Sequence, residues 1–130
     1  MFGMKKKSAD SIEIYKTEIK SIGNLAKDFL QEKMLILFGS EAPDGLKDYC
    51  FGIDVKSVHD AIQTGQYLFI DDSRFKITAV GRLVQKNLAD LGHITMRFDG
   101  STKADLAGTL YLENNPIPNI DIGTQITIEW

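Results

Sequence analysis

Between Arg74 and Gly100 the chain changes periodicity twice, and this run of strand, helix and strand constrains what the rest can become. Phe75, Ile77 and Ala79 alternate with Lys76 and Thr78, which places them on one face of a strand ending at Gly81. From Arg82 the spacing lengthens: Val84, Leu88 and Leu91 recur at i, i+4 and i+7, with Leu83 beside them. Gln85, Lys86 and Asp90 are left facing water. Gly92 supplies the left-handed residue that closes such a helix. Ile94, Met96 and Phe98 then alternate with His93, Thr95, Arg97 and Asp99, a half-buried strand with a polar second face.

The segments on either side favour strands. Ser11 to Ile22 alternates through Ile12, Ile14 and Ile19 and breaks at Gly23-Asn24. Leu25 to Lys33 has Leu25, Phe29 and Leu30 at the spacing of one or two helical turns. Met34 to Phe38 is a continuous apolar run of strand length closed by Gly39-Ser40, the pattern of a central strand. The turn sequence Ala-Pro-Asp-Gly leads through a short helical turn to Tyr49-Cys50-Phe51. Asp54 to Gln63 is ambiguous: Val55, Val58 and Ile62 fit a helical turn or an extended loop. Gln66 to Ile70 and Arg74 to Val80, joined at Asp71-Asp72-Ser73, read as a hairpin. Two further strands are expected at Gly108 to Glu113 and at Thr124 to Trp130, the latter with Ile126, Ile128 and Trp130 on one face. Between them Pro116 and Pro118 cannot donate to a ladder, so that stretch is a loop.

Seven or so short strands with one convincing helix give a mainly β fold: a small β-barrel, closed or partly open, with a well-formed helix at about 82–91 and short helical turns. It occupies one domain, 11–130. Met1 to Asp10 reads as a mobile tail whose Lys5-Lys6-Lys7 is alternatively an anchor for an anionic surface. One internal echo stands out. Ile62, Gly65 and Ile70 have the spacing of Ile120, Gly123 and Ile128, which reflects either two related halves of a barrel or two independent loop-Gly-strand turns.

Charge and cysteine usage exclude several classes. With 15 Lys and Arg against 18 Asp and Glu, the net charge of −3 leaves no electrostatic footprint for nucleic acid or an anionic membrane. The single Cys50 cannot form an internal disulfide, and no apolar run approaches the ~20 residues of a membrane span. A cytoplasmic protein without membrane insertion is expected. There is no glycine-rich phosphate loop, nucleophile elbow or Cys/His metal spacing. Cys50, between two aromatic residues, reads as a packed thiol rather than a reactive one.

Ile77 to Gly81, Leu91 to Gly100, Tyr49-Cys50-Phe51 and the Gly39 to Asp48 segment resemble the glucitol/sorbitol-specific IIA component of the bacterial phosphoenolpyruvate-dependent sugar phosphotransferase system, over about Ile12 to Ile128. The resemblance implies a protein that takes a phosphoryl group from the histidine phosphocarrier protein onto its own histidine and passes it to a sugar-specific IIB domain, needing neither cofactor nor metal. A neutral imidazole nitrogen is the nucleophile in such chemistry, and about three-quarters of an exposed histidine is neutral at pH 7. The resemblance places the phosphorylated histidine two residues after the Phe of Tyr-Cys-Phe, where this chain has Ile53. Asp54 next to it is an aspartyl-phosphate candidate or an ordinary turn residue. His93 and His59 are the only histidines. His93 has Thr95 and Arg97 at alternate positions, a hydroxyl and a guanidinium suited to phosphoryl oxygens, or it serves the end of the helix. His59, with Asp60 to orient it, is the second candidate or a solvated loop residue. Two functions remain open: a phosphocarrier, and a paralogue that keeps the fold as a regulatory or binding module. Strand pairing at free edges would also permit a homo-oligomer.

Overall fold

Alternating and continuous apolar runs form eight strands in the computed structural model, which describes residues 11–130. The expected N-terminal tail lies outside the described residues. The strands are β1 Glu13–Ile22, β2 Met34–Phe38, β3 Phe51–Ile53, β4 Tyr67–Ile70, β5 Ser73–Val80, β6 Ile94–Arg97, β7 Thr109–Leu112 and β8 Gln125–Glu129. Two α-helices, α1 Asp44–Lys47 and α2 Val84–Leu91, and a 3-10 helix, Ala26–Glu32, complete the list of elements. The strands close into a barrel in the order β1-β3-β2-β6-β7-β5-β4-β8. β2–β3 and β6–β7 pair parallel and the other neighbours antiparallel. Closure gives every described strand two neighbours, so the free edges on which strand pairing between copies would depend are absent among them.

The ladders repeat. Across β1–β3, Ile19 faces Ile53, the register slips, and Ser21 faces Gly52 and Ile22 faces Phe51. Across β5–β7, Ile77 faces Leu112, the register slips at the same place, and Ala79 faces Tyr111 and Val80 faces Leu110. Leu37 pairs with Phe51 and Phe38 with Gly52, as Met96 pairs with Leu110 and Arg97 with Tyr111. β1 through β4 and β5 through β8 are therefore two copies of one unit, related by a pseudo-two-fold. Its axis passes through the two seams where like strands meet, β2 against β6 and β4 against β8. The echo at Gly65 and Gly123 is part of this relation. Both glycines have positive φ, +91° and +96°. Gly65 N–H donates to Ile77 O and Gly123 N–H to Ile19 O. Gln63 N–H reaches the Gln66 side chain as Asp121 N–H reaches the Thr124 hydroxyl.

Inside lies one apolar core that includes Ile14, Ile19, Leu35, Phe51, Leu68, Phe75, Met96, Phe98, Leu110 and Ile126, with Phe75 and Phe98 edge to face at 4.9 Å. Several expectations are corrected by this packing. Ile12 precedes β1 and is exposed, while Ile14 and Tyr15 are both buried because the β1–β8 register slips beside them. Trp130 lies beyond β8 and is half exposed, whereas Thr127 and Glu129 are as buried as Ile126 and Ile128. β7 is likewise buried on both faces. The helix begins at Val84, with residues 82–83 in a turn, and Leu91 at its end is exposed. Asp54 to Gln63 forms no helix. Val58 and Ile62 pack on the core, and Gln85 leaves the solvent face to hold the segment, accepting from Ile62 N–H and donating to Asp60 O.

Two tight backbone approaches also match. A Cβ on Gly23 would overlap the backbone carbonyls of Lys47 and Asp48, and one on Gly81 those of Leu106 and Ala107. Gly23→Ala and Gly81→Ala are therefore each expected to destabilise the protein by about 1–3 kcal/mol in urea unfolding, because the clash is with backbone that cannot rotate aside. Burial pushes the Tyr15 phenol from its ordinary 10.0 up to about 12. The folded chain thus holds that proton more tightly than the unfolded one. The stabilisation is full below about pH 10 and is lost as pH rises towards about 12. Tyr15→Phe is expected to flatten that alkaline loss by about 2–3 kcal/mol, read from unfolding curves at pH 9 to 12.

Candidate functional site

The end of α2 sets the position of His93. Gly92, with φ +67°, turns the chain so that its own N–H and that of His93 return to the carbonyls of Leu88 and Asn87. The carbonyls of Asn87 and Leu88 are thus met by backbone, as is that of Leu91 by Gly39 N–H, and the imidazole bonds elsewhere. It crosses the β2–β6 seam, where Nδ1 lies 3.0 Å from Leu37 O. The ring stacks on Phe38 with centroids 4.1 Å apart and planes 20° from parallel. A carbonyl only accepts, so Nδ1 carries the hydrogen and Nε2 of the neutral ring holds the lone pair. That nitrogen is the nucleophilic one.

The other candidates are placed differently. Thr95 is half-buried on the same face of β6. Arg97 lies at the far end of β6, about 13 Å along the strand from His93 at ~3.3 Å per residue. Its Nε is 3.6 Å from the Asp99 carboxylate, so the guanidinium is directed to Asp99. His59 is exposed, and its N–H donates to Ile14 O. The Asp60 carboxylate accepts from Ala61 N–H instead of orienting the imidazole. Ile53 is 2% exposed, pairs with Ile19, and packs where a Cβ on Gly92 would meet its Cδ1 at 3.3 Å. The position to which the resemblance assigns the phosphorylated histidine is therefore beside the residue preceding His93.

Ile53 also lines a cleft of about 450 Å³, together with Phe38, Ala42 and Gly52. Lys20, Ser21, Asn24, Ser40, Lys47 and Asp48 give it a polar rim. Lys20 is 3.6 Å from Glu18 and 3.9 Å from Asp54, and Lys47 is 3.6 Å from Asp44. The Lys20 pairs are half exposed and Asp44 is fully exposed, so these pairs tether the ammonium groups only weakly. Cys50 is buried with Phe38 and Ala42, and burial pushes its thiol above the usual range, as fits a packed thiol. Among the described residues no three His, Cys, Asp or Glu side chains converge as metal ligands.

The cleft was not visible from the pattern of titratable residues, because its lining comes from three separate stretches of chain, 20–24, 38–42 and 47–54. One signal was present. Gly52 interrupts a strand between two buried apolar residues, a usual mark of close approach by other groups.

Comparison with known proteins gives consistent results. Residues 14–127 match the sequence model of a family described as the PTS system glucitol/sorbitol-specific IIA component. Proteins of Shigella flexneri and of Escherichia coli strain K12, both named PTS system glucitol/sorbitol-specific EIIA component, are 39% identical over 106 residues, covering 82% of this chain and 85% of theirs. The crystal structure of a PTS system IIA component from Enterococcus faecalis V583 aligns with a TM-score of 0.74 and 34% identity, over 86% of this chain and 97% of that one.

The hydrogen bond to Leu37 O predicts the state of the imidazole. Nitrogen-15 shifts of neutral His93 are expected to show a protonated Nδ1 and an unprotonated Nε2. The reverse assignment would remove the lock on the ring.

Proposed function

Because the chain belongs to the family of glucitol/sorbitol-specific IIA components of the sugar phosphotransferase system, we propose that it is the IIA step of such a relay. It takes a phosphoryl group from the histidine phosphocarrier protein onto Nε2 of His93 and delivers it to a sugar-specific IIB domain in the cytoplasm. The observation that carries this reading is the 3.0 Å contact between Nδ1 and Leu37 O. It supports a fixed tautomer with the lone pair on Nε2, and the Phe38 stack restrains the ring plane.

In the step itself, the Nε2 lone pair attacks phosphorus on the donor. A new N–P bond forms, and the old one breaks with its electron pair returning to the donor nitrogen. The ring of His93 gains positive charge while phosphorylated. The Nδ1–H to carbonyl hydrogen bond strengthens as that charge develops, which favours the phosphorylated form. No metal or cofactor has a part in this scheme.

One observation favours a second reading. Ile53, buried at the position of the family's histidine, supports a chain that has kept the fold for binding or regulation without carrying the phosphoryl group. The two readings separate in one assay, with labelled phosphoenolpyruvate, enzyme I and the histidine phosphocarrier protein acting on the wild type, His93→Ala and His59→Ala. The expected result is acid-labile label on the wild type and on His59→Ala, and none on folded His93→Ala. Label lost only in His59→Ala would move the acceptor. No label on a folded wild type, beside a competent control acceptor, would leave the binding module.

A further inference from the structure

The two copies differ most where the cleft lies. In the second copy Tyr111 occupies the position that Gly52 holds in the first, as the matching pairs Ala79–Tyr111 and Ser21–Gly52 show. Tyr111 is 4% exposed, and its hydroxyl accepts from Leu106 N–H at 3.0 Å, so its ring fills the space beneath the connection from β6 to β7. In the first copy the equivalent connection, from β2 to β3, keeps its backbone contacts. Gly23 N–H reaches Cys50 O as Gly81 N–H reaches Thr109 O, and Leu25 N–H reaches Asp48 O as Leu83 N–H reaches Ala107 O. With the same frame and no ring, about 450 Å³ stays open. Ser21 stands so close that a Cβ on Gly52 would fall on its hydroxyl, whereas Ala79 leaves room for Tyr111.

The lining indicates what fits. Lys20 and Lys47 are balanced by Asp48 and Asp54, which suits a ligand with many hydroxyls better than a bare anion. Ser21, Asn24 and Ser40 add short groups that both donate and accept, while Phe38 and Ala42 present carbon to a carbon chain. We infer that this cleft binds a small linear polyol, free or carrying a terminal phosphate, without covalent attachment. The inference rests on the cleft and on family membership, not on the His93 relay.

The test is a titration of the nitrogen-15-labelled full chain with glucitol, with glucitol phosphorylated on a terminal hydroxyl, and with inorganic phosphate. No other phosphotransferase protein is present, so the outcome is separate from that of the relay assay. Saturable shifts of the Gly39, Ser40 and Gly52 amides are expected with a polyol, and the arm that saturates first identifies its form. Ser21→Ala/Gly52→Tyr transplants the pair of the second copy. Removing the hydroxyl leaves Ser21 Cβ at 3.4 Å from the new Cβ, which is tolerable contact. Those shifts should vanish in this variant, whereas Ser21→Ala alone, which removes one hydroxyl and leaves the space open, should still saturate at a higher polyol concentration. Should the double variant fail to fold, Asn24→Ala/Lys47→Ala alters only exposed rim residues and is expected to weaken binding by about tenfold. Absence of saturation with both polyols, undiminished shifts in the folded transplant, unchanged affinity in the rim variant, or the same shifts from inorganic phosphate alone would each overturn the inference.

Discussion

Everything in this barrel depends on pairing between two copies of the same four-stranded unit. Neither copy can satisfy its own strands: β2 and β6 require each other, while β4 pairs only with β5 and β8, and β8 only with β1 and β4, all strands of the opposite copy. In antiparallel pairing of like strands, a register that suits one copy suits the other. Leu35 facing Met96 and Leu37 facing Ile94 are the same interaction seen twice, as are Leu68 facing Ile128 and Ile70 facing Ile126. Because inward residues at both seams are apolar, a slip of one position would turn them all outward, so burial and register enforce each other.

Chemistry enters where that repetition is broken. At the β2–β6 seam, His93 stacks on Phe38, while the equivalent pair at the other end of the seam is Met34 beside Arg97. The imidazole and its aromatic neighbour thus come from different copies, and neither unit alone would hold the ring. The cleft follows the same rule, since Gly52 opens a space that Tyr111 closes in the second copy. A scaffold supported by duplicated contacts tolerates such local departures, because the frame around them is held by backbone hydrogen bonds present in both halves.

The strand pattern, the main helix and its glycine cap were legible in the sequence because each depends on local spacing. Phe75 and Ile77 face inward as their alternation requires, but the register slip after Ile77 turns Ala79 towards Tyr111 and brings Val80 to the core, while Gly92 adopts the left-handed conformation its position implies. What alternation could not show was coverage from outside. Tyr111 and Thr127 sit on the polar phase of their strands yet are buried, Tyr111 beneath the connection from β6 to β7. Gln85 was assigned to water by helical phase and instead holds the 60–62 backbone. At the candidate site, residue types identified His93 and the anomaly at Ile53. They could not reveal that His93 reaches Leu37, which is 56 residues away in the chain. The duplication left faint traces in the Gly65 and Gly123 turns and in the matched Ile19 and Ile77, Gly23 and Gly81, and Leu25 and Leu83, while other equivalent positions, such as Gly52 and Tyr111 or Phe38 and Arg97, carry unlike side chains on a shared backbone course.

β1 and β8, the first and last strands, pair as neighbours in the same way that β5 pairs with β4. In the second case the two strands are continuous through the tight turn at Asp71-Asp72, with Asp71 at φ +49°, whereas in the first the described chain begins and ends. The β4–β5 connection therefore has a counterpart position, between β8 and β1, that the described residues leave open. Opening the chain between β4 and β5 and joining its present ends would exchange the order of the two halves along the gene while leaving every strand with its neighbours. In this architecture the starting point of the chain is a matter of inheritance, and the cyclic order of the strands carries the structure.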